Sequence, residues 1–243
     1  MEEIISLQNA KIKKWTALHQ KKERDATGLF LVEGEHLIGE ALSMGCVKDI
    51  ITDDVCPYAF DSVFKVTPAI MHKLSDNVSP VHLIAVCRKL DTAPQELKRV
   101  ILLDGVQDPG NLGTLVRTAI SFSYDAVYCS EDTCDLYNEK AVRSTQGALF
   151  HIPVIRGNLM DVMAQLQQDG FTVIATSLEE SHTMDEIMER NKMAFIFGNE
   201  GQGVHHEIQA AADDRLRIDM HGFESLNVAV AGGIVMYHYR WKG

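Results

Sequence analysis

Along this chain, short apolar runs alternate with longer stretches in which apolar residues return every three or four positions. From residue 99 onward the alternation is regular. RVILLDGV (99–106) reads as a buried strand, and NLGTLVRTAISF as a helix with Leu112, Leu115, Val116, Ala119 and Ile120 on one face. DAVYCS predicts a strand, NEKAVRSTQGALF a helix, HIPVI a strand, and NLMDVMAQLQQDG a helix stopped by Gly170. FTVIATS and KMAFIFG follow as strands, HHEIQAAAD as a helix and RLRIDM as a strand. SLNVAVAGGIVMYHYR closes the chain as a helix with Ser225 as its N-cap. Apolar strands alternating with helices predict an α/β fold with a parallel sheet covered on both faces. In such sheets ligands sit outside the carboxyl ends of the strands. The closing helix is apolar nearly all round, which predicts burial on every face. Gly232 and Gly233 inside it each cost about 1 kcal/mol relative to Ala; close packing against another backbone would explain them.

The N-terminal part is less regular. A helix is expected over 6–22, with Ile12, Trp15 and Leu18 among its lysines. GLFLVEG (28–34) reads as a strand and EHLIGEALSMG (35–45) as a helix ended by Gly45. VKDIITD, SVFKVT and VHLIAVCRKL read as strands, and PAIMHKLSD as a helix with Pro68 in its first turn. KLDTAPQELKR, with its charges and Pro94, separates two apolar runs. The expected division is therefore a small α/β domain over 1–92 and a larger one over 99–243.

Composition narrows the class. At 243 residues and 46% hydrophobic, the chain suits one large or two small folded domains. No apolar run approaches the ~18–20 residues of a membrane span, and the acidic start, MEEII, does not read as a secretory signal. The five cysteines lack any CxxC and are expected to be reduced thiols in a cytoplasmic protein, with no membrane partner. The net charge of −11 argues against a polyanionic partner until its distribution is considered. Residues 11–24 hold Lys11, Lys13, Lys14, Lys21, Lys22 and Arg24 against Glu23 alone, a basic patch on an acidic body. That arrangement suits RNA or another polyanion, although a solvated helix face would look the same.

Three segments at strand ends carry polar residues that the fold alone does not require. In DGVQDPGNLGTLVRTA (104–119), Asp108-Pro109-Gly110 makes a turn and Asn111 opens a helix. Arg117 lies one turn from Thr114 and Ser121, in the part of the helix where the macrodipole disfavours a cation, which points to a partner. In FGNEGQGV (197–204), Gly198, Gly201 and Gly203 permit close backbone approach, but Glu200 disfavours a phosphate and suits a cationic or hydroxyl-bearing ligand. In IDMHGFESLNVAVAGG (218–233), Asn227 is a polar residue at the head of an apolar helix. There is no GxSxG elbow and no P-loop. His205-His206 lacks the acid and spacing of a zinc site and reads as surface, so no metal ligand is expected.

Together, DPGNLGTLVRTA, FGNEGQGV and SLNVAVA resemble motifs 1, 2 and 3 of the SpoU (TrmH) branch of the SPOUT RNA 2′-O-ribose methyltransferases, in the right order and each after a strand. STQGALFHIPV resembles the segment between motifs 1 and 2. The first 90 or so residues, chiefly FLVEGEHLIGEAL, resemble the L30e-like substrate-binding domain that many of these enzymes carry. The resemblance implies a trefoil knot at the C-terminus, an exception to the rule against threaded loops. It also implies S-adenosylmethionine as cofactor and a homodimer with sites at its interface. The family's functional residues map onto Asn111, Arg117, Glu200, Ser225 and Asn227. The cofactor-holding knot loops map around Thr176, Gly198, Gly203, Ile218, Met220 and Leu226. Relatives usually have Pro where this chain has Asp219, and Ala-Ala where it has Gly232-Gly233. The implied activity is methyl transfer to a ribose 2′-OH, with large-subunit (23S) ribosomal RNA as the expected substrate. The alternatives are a tRNA ribose methyltransferase and an RNA-binding relative without catalysis.

Overall fold

Every residue of Arg99–Leu103 and of Met193–Phe197 is buried, and these two runs pair in parallel at the centre of a sheet. The computed structural model describes residues 2–77, 79–90, 93, 94, 96–220 and 225–241. The chain forms two compact units: Met1–Asp91 with Asp135–Phe150, and Thr92–Cys134 with His151–Gly243. The division expected from sequence, 1–92 and 99–243, has no such return of residues 135–150.

In the first unit the strands are β1 (Glu2–Ile4), β2 (Leu29–Glu33), β3 (Val47–Thr52), β4 (Val63–Val66) and β5 (Leu83–Arg88), in the order β1-β4-β3-β5-β2. The sheet is mixed: β4 runs parallel to β1 and β3, whereas β5 runs antiparallel to β3 and β2. Its helices are α1 (Ala10–Ala17), α2 (Lys21–Thr27), α3 (Glu35–Ser43), α4 (Pro68–Leu74) and, from the returning segment, α6 (Glu139–Thr145). Side chains alternate across β2. Leu31 joins Ile12, Trp15, Leu18, Ile70 and Leu74 in one core. Phe30 instead meets Tyr137 and Phe150 of the returning segment, at centroid distances of 4.7 and 6.5 Å.

The single helix expected over 6–22 is broken into α1 and α2. Arg24 explains the break: its Nη1 donates to the Leu18 and His19 carbonyls (2.7 and 2.8 Å), which the interruption frees. Its Nε and Nη2 donate to Asp135 at 2.9 and 2.7 Å, and the residue is only 2% exposed.

The second unit contains β6 (Arg99–Leu103), β7 (Ala126–Cys129), β8 (Val154–Arg156), β9 (Thr172–Thr176), β10 (His182–Thr183), β11 (Met193–Phe197) and β12 (Asp214–Arg217). All pair in parallel, in the order β10-β12-β9-β11-β6-β7-β8. The helices are α5 (Pro109–Ser121), α7 (Leu159–Gln168), α8 (His206–Ala211) and α9 (Val228–His238). Leu159, Met163 and Leu166 of α7 and Ile208 of α8 pack on Val100, Leu102, Val173, Ala194 and Ile196 of the sheet. From β6 the order runs outward through β7 to β8, and the chain then crosses to β9 beyond β11. The strand order therefore reverses between β6 and β11.

α9 packs on α5. A Cβ on Gly232 would overlap Leu115, so this glycine answers a close helix approach. A Cβ on Gly233 would find only Thr118 Cγ2 at 3.9 Å, an ordinary contact, so sterics do not require the second glycine. Two expectations about α9 need correction. Its N-cap is Asn227, whose Oδ1 accepts from Ala229 N and Val230 N, rather than Ser225. Nor is it buried all round within the chain: Val230 (52% exposed), Ile234 (36%) and Tyr237 (56%) form an exposed apolar stripe at i, i+4, i+7 spacing. The implied knot concerns the chain between β12 and α9, where residues 221–224 lie outside the described ones. Among the described residues no helix is long and apolar enough to cross a membrane.

Candidate active site

The glycine turn after β11 is built by Asn199. Its backbone N–H and C=O pair with those of Gly203 at 2.9 Å, its Oδ1 accepts from Gly201 N and Gln202 N, and its Nδ2 donates to the Gly105 carbonyl at 2.8 Å. The hairpin is so tight that a Cβ on Gly198 would overlap Gly203 and Val204 N. Gly203 itself takes φ 73°, open to glycine at no cost.

Glu200 leaves this hairpin towards the segment that precedes α5. Its carboxylate accepts from Gln107 N (3.1 Å), Asp108 N (3.1 Å) and Asn111 Nδ2 (2.9 Å). Burial pushes the carboxyl up, but these bonds outweigh it and hold the group below the usual Glu range. The acid in the glycine turn therefore serves as the anion at the head of α5, where another protein would hold a phosphate. The contact also fixes the Asn111 amide, because an amide that donates through Nδ2 presents Oδ1 on its other side. Asn227 Nδ2 donates to that Oδ1 at 3.0 Å, and Asn227 Oδ1 caps α9. One directional relay, Glu200–Asn111–Asn227, thus ties the three segments together.

Beside the relay lies a cavity of about 660 Å³ whose walls include Thr176, Gly198, Gly203, Ile218, Met220 and Leu226. These are the six positions expected from the resemblance to hold cofactor. Glu200 and Ser225 also face this space. The volume suits a nucleoside-sized ligand. The lining offers backbone groups, the carboxylates of Glu179 and Glu200, the imidazoles of His205 and His206, and no lysine. Arg217 is engaged by Asp219 Oδ1 at 3.2 Å and by the Ser181 carbonyl. Such a lining suits a sulfonium cation with ribose hydroxyls better than a phosphate.

Arg117 stands apart. It is exposed on α5, about 9 Å along the helix from Asn111 at 1.5 Å per residue, and no carboxylate among the described residues lies within ion-pair distance of it.

His205 is exposed, as expected, and it also has a buried partner: its backbone N donates to Asp104 Oδ2 at 2.7 Å and its Nδ1 pairs with Oδ1 at 2.9 Å, where Asp104 is the buried residue that follows β6. The hydrogen bond to Asp104, and then its charge, hold the imidazole above its usual value.

Of the basic segment, Lys13, Lys14 and Lys22 are exposed. Lys21 pairs with Asp25 at 2.6 Å and Lys11 with Glu2 at 2.7 Å. Arg24 is withdrawn from the set of surface cations, because its guanidinium is buried on Asp135.

A parallel sheet with a nucleoside-sized cavity at the carboxyl ends of its strands, walled by two of the polar segments and tied through Glu200 to the third, defines a nucleoside-cofactor enzyme of α/β class. Residues 98–237 match the SpoU rRNA Methylase family and residues 9–85 the MRM3-like substrate binding domain. The chain is 40% identical, over 99% of its length and 100% of the relative's, to the Bacillus subtilis (strain 168) protein named 23S rRNA (guanosine(2553)-2′-O)-methyltransferase RlmP. The crystal structure of an AdoMet-bound rRNA methyltransferase from Sinorhizobium meliloti superposes with a TM-score of 0.88 at 30% identity, covering 98% of this chain and 97% of that one. A structure described as an RNA 2′-O ribose methyltransferase gives 0.83 at 27% identity, with coverage of 98% and 97%. The chain belongs to the SpoU rRNA methylase family.

Proposed function

We propose that this protein transfers a methyl group from S-adenosylmethionine to a ribose 2′-OH of 23S ribosomal RNA, acting as a cytoplasmic homodimer. The observation that carries the reading is the Glu200–Asn111–Asn227 relay at the rim of a nucleoside-sized cavity. The full-length similarity to a 23S rRNA 2′-O-methyltransferase favours ribosomal RNA over tRNA, and makes the guanosine named for that relative the first position to examine.

The cofactor supplies, when bound, a methyl group already activated on a sulfonium. The chain's residues must hold it, align the acceptor hydroxyl and stabilise charge on the acceptor oxygen as its proton leaves. Backbone groups of the Gly198–Gly203 hairpin and of Ile218, Met220 and Leu226 are assigned to the cofactor. Asn111 and Asn227, locked in one amide orientation by Glu200, orient hydroxyl and cofactor with Ser225. Alignment of this kind contributes several kcal/mol to a displacement. Arg117 stays protonated and is assigned to the developing alkoxide or the adjacent phosphate rather than to proton removal.

The apolar stripe of Val230, Ile234 and Tyr237 supports the homodimer: α9 runs directly from the relay residue Asn227, so a partner covering this stripe would complete the site. Lys13, Lys14 and Lys22 are the cations assigned to RNA. Mapping ribose methylation over total RNA in cells with and without the gene tests the reading. Loss of one 23S site is expected; an unchanged map, or a lost tRNA site, overturns it.

A further inference from the structure

Three remote segments of the first unit bring metal-ligating atoms together. His19 lies in the turn between α1 and α2, Asp76 follows α4, and Glu139 opens α6. His19 Nδ1 stands 2.8 Å from Glu139 Oε1 and 3.7 Å from Asp76 Oδ2, and all three atoms lie within 4.8 Å of one another. The side chains are graded in exposure, at 4% for Glu139, 21% for His19 and 57% for Asp76. The cluster therefore has a buried floor and an open mouth.

Neighbouring bonds supply a second argument. Glu33, also buried, adjoins the cluster: its carboxylate accepts from Asp76 N at 3.3 Å and from Asn77 Nδ2, and lies 3.4 Å from Arg143 Nη1. These bonds fix the Asp76 backbone and so hold its carboxylate beside His19. Between His19 Nδ1 and Glu139 Oε1, at 2.8 Å, lies either a proton or a metal ion. The Lys73 carbonyl also faces the ring and offers an acceptor for its N–H, the arrangement that orients a ligating histidine.

We propose that His19, Asp76 and Glu139 bind one divalent transition-metal ion, with water completing its shell on the open Asp76 side. One imidazole and two carboxylates suit Zn²⁺, whereas Mg²⁺ and Ca²⁺ favour all-oxygen shells and Cu⁺ favours thiolates. Zn–N and Zn–O bonds of about 2.0–2.2 Å place tetrahedral ligands roughly 3.4 Å apart, so binding opens the 2.8 Å contact slightly and draws Asp76 in. The ion would staple the α1–α2 turn, which neighbours the exposed lysines, to the returning segment of residues 135–150.

The test uses the full chain after chelator treatment, titrated with Co²⁺ as a spectroscopic substitute for Zn²⁺ and then with competing Zn²⁺. One Co²⁺ per chain is expected, with visible d–d bands that Zn²⁺ abolishes, and Zn²⁺ should raise the melting temperature. His19→Ala and Glu139→Gln should each weaken binding by about tenfold or more, whereas His182→Ala, at the exposed His182–Asp214 pair, should not. Should the buried substitutions unfold the protein, Asp76→Ala, at the exposed edge, must still weaken binding. Absence of stoichiometric Co²⁺ and Zn²⁺ binding, or binding indifferent to these substitutions, overturns the proposal and leaves a proton between His19 and Glu139.

Discussion

Replacing Gly198 by Ala probes the glycine hairpin most sharply. A Cβ at this position would lie closer than 3 Å to Gly203 and Val204 backbone atoms, a separation that real Cβ atoms essentially never show. The backbone cannot yield cheaply, because the Asn199–Gly203 bridge clamps it with two 2.9 Å hydrogen bonds. Opening the hairpin sacrifices those bonds, at about 1 kcal/mol each, or leaves an overpacked turn at about 1–3 kcal/mol. A cost of ~2–3 kcal/mol charged to the cofactor pocket weakens binding about 30- to 150-fold. Gly201→Ala is the control: its Cβ would meet only Asn199 Oδ1 at 3.5 Å, and its φ is not positive. Calorimetry with S-adenosylhomocysteine, alongside thermal unfolding, reads both variants. Gly201→Ala should bind within about twofold of the parent, an ordinary surface effect. If Gly198→Ala binds as tightly as the parent, the hairpin does not shape the cofactor site.

Other outcomes follow from the same geometry. Arg117→Ala should abolish methyl transfer yet keep S-adenosylhomocysteine affinity within about tenfold (~1.4 kcal/mol), because the side chain stands away from the cavity; lost cofactor binding in a folded variant contradicts the assignment. Reversing Lys13, Lys14 and Lys22 to Glu should flatten the slope of log K against log salt for RNA fragments by about 2–3, at ~0.9 per phosphate contact, whereas an unchanged slope makes the segment a solvated face. Arg24→Ala should instead cost stability, about 3–5 kcal/mol by denaturant titration, since it strands Asp135, and should leave the salt slope alone. The His205 imidazole is raised above 6.5 by Asp104, so its contribution to stability is complete below about pH 6.5 and is lost as pH rises through the folded value; His205→Ala should remove that part of the pH dependence, seen as a smaller fall in unfolding midpoint between pH 6 and 8. The parent should sediment as a dimer and Val230→Asp with Tyr237→Asp as a monomer; a monomeric parent, or a variant of unaltered mass, would contradict pairing through α9.

The strand–helix alternation of residues 99–241 was legible because a parallel sheet buries both faces of its strands, so RVILL and MAFIF stand out as unbroken apolar runs. The three polar segments were legible because polar residues at strand ends have no part in that core. What escaped reading depends on distant partners. Counting charge over residues 11–24 could not reveal that Arg24 meets Asp135, 111 residues away, or that its guanidinium takes the Leu18 and His19 carbonyls where the expected helix breaks. Glu200 lines the cavity, but its bonds to Gln107, Asp108 and Asn111, about 90 residues upstream, have no local signal. Apolarity around α9 was read as burial within one chain; it is equally the pattern of a helix that buries one face at home and offers the other to a partner. The cap moved from Ser225 to Asn227 because both residue types cap helices and stand two positions apart. His205 is the surface residue that the sequence suggests, but its bond to the buried Asp104 is marked by no local pattern.

The most direct test of the central claim is a transfer reaction. Purified protein, S-adenosylmethionine labelled in the methyl group and a 23S rRNA transcript are incubated together, and the labelled RNA is then hydrolysed in alkali. A ribose 2′-O-methyl group blocks cleavage at its own phosphodiester, so the account predicts that the label appears in a single alkali-resistant dinucleotide, and that Asn111→Ala abolishes it. Label recovered in mononucleotides, which would place the methyl on a base, or no transfer to 23S rRNA by the folded protein, would contradict it.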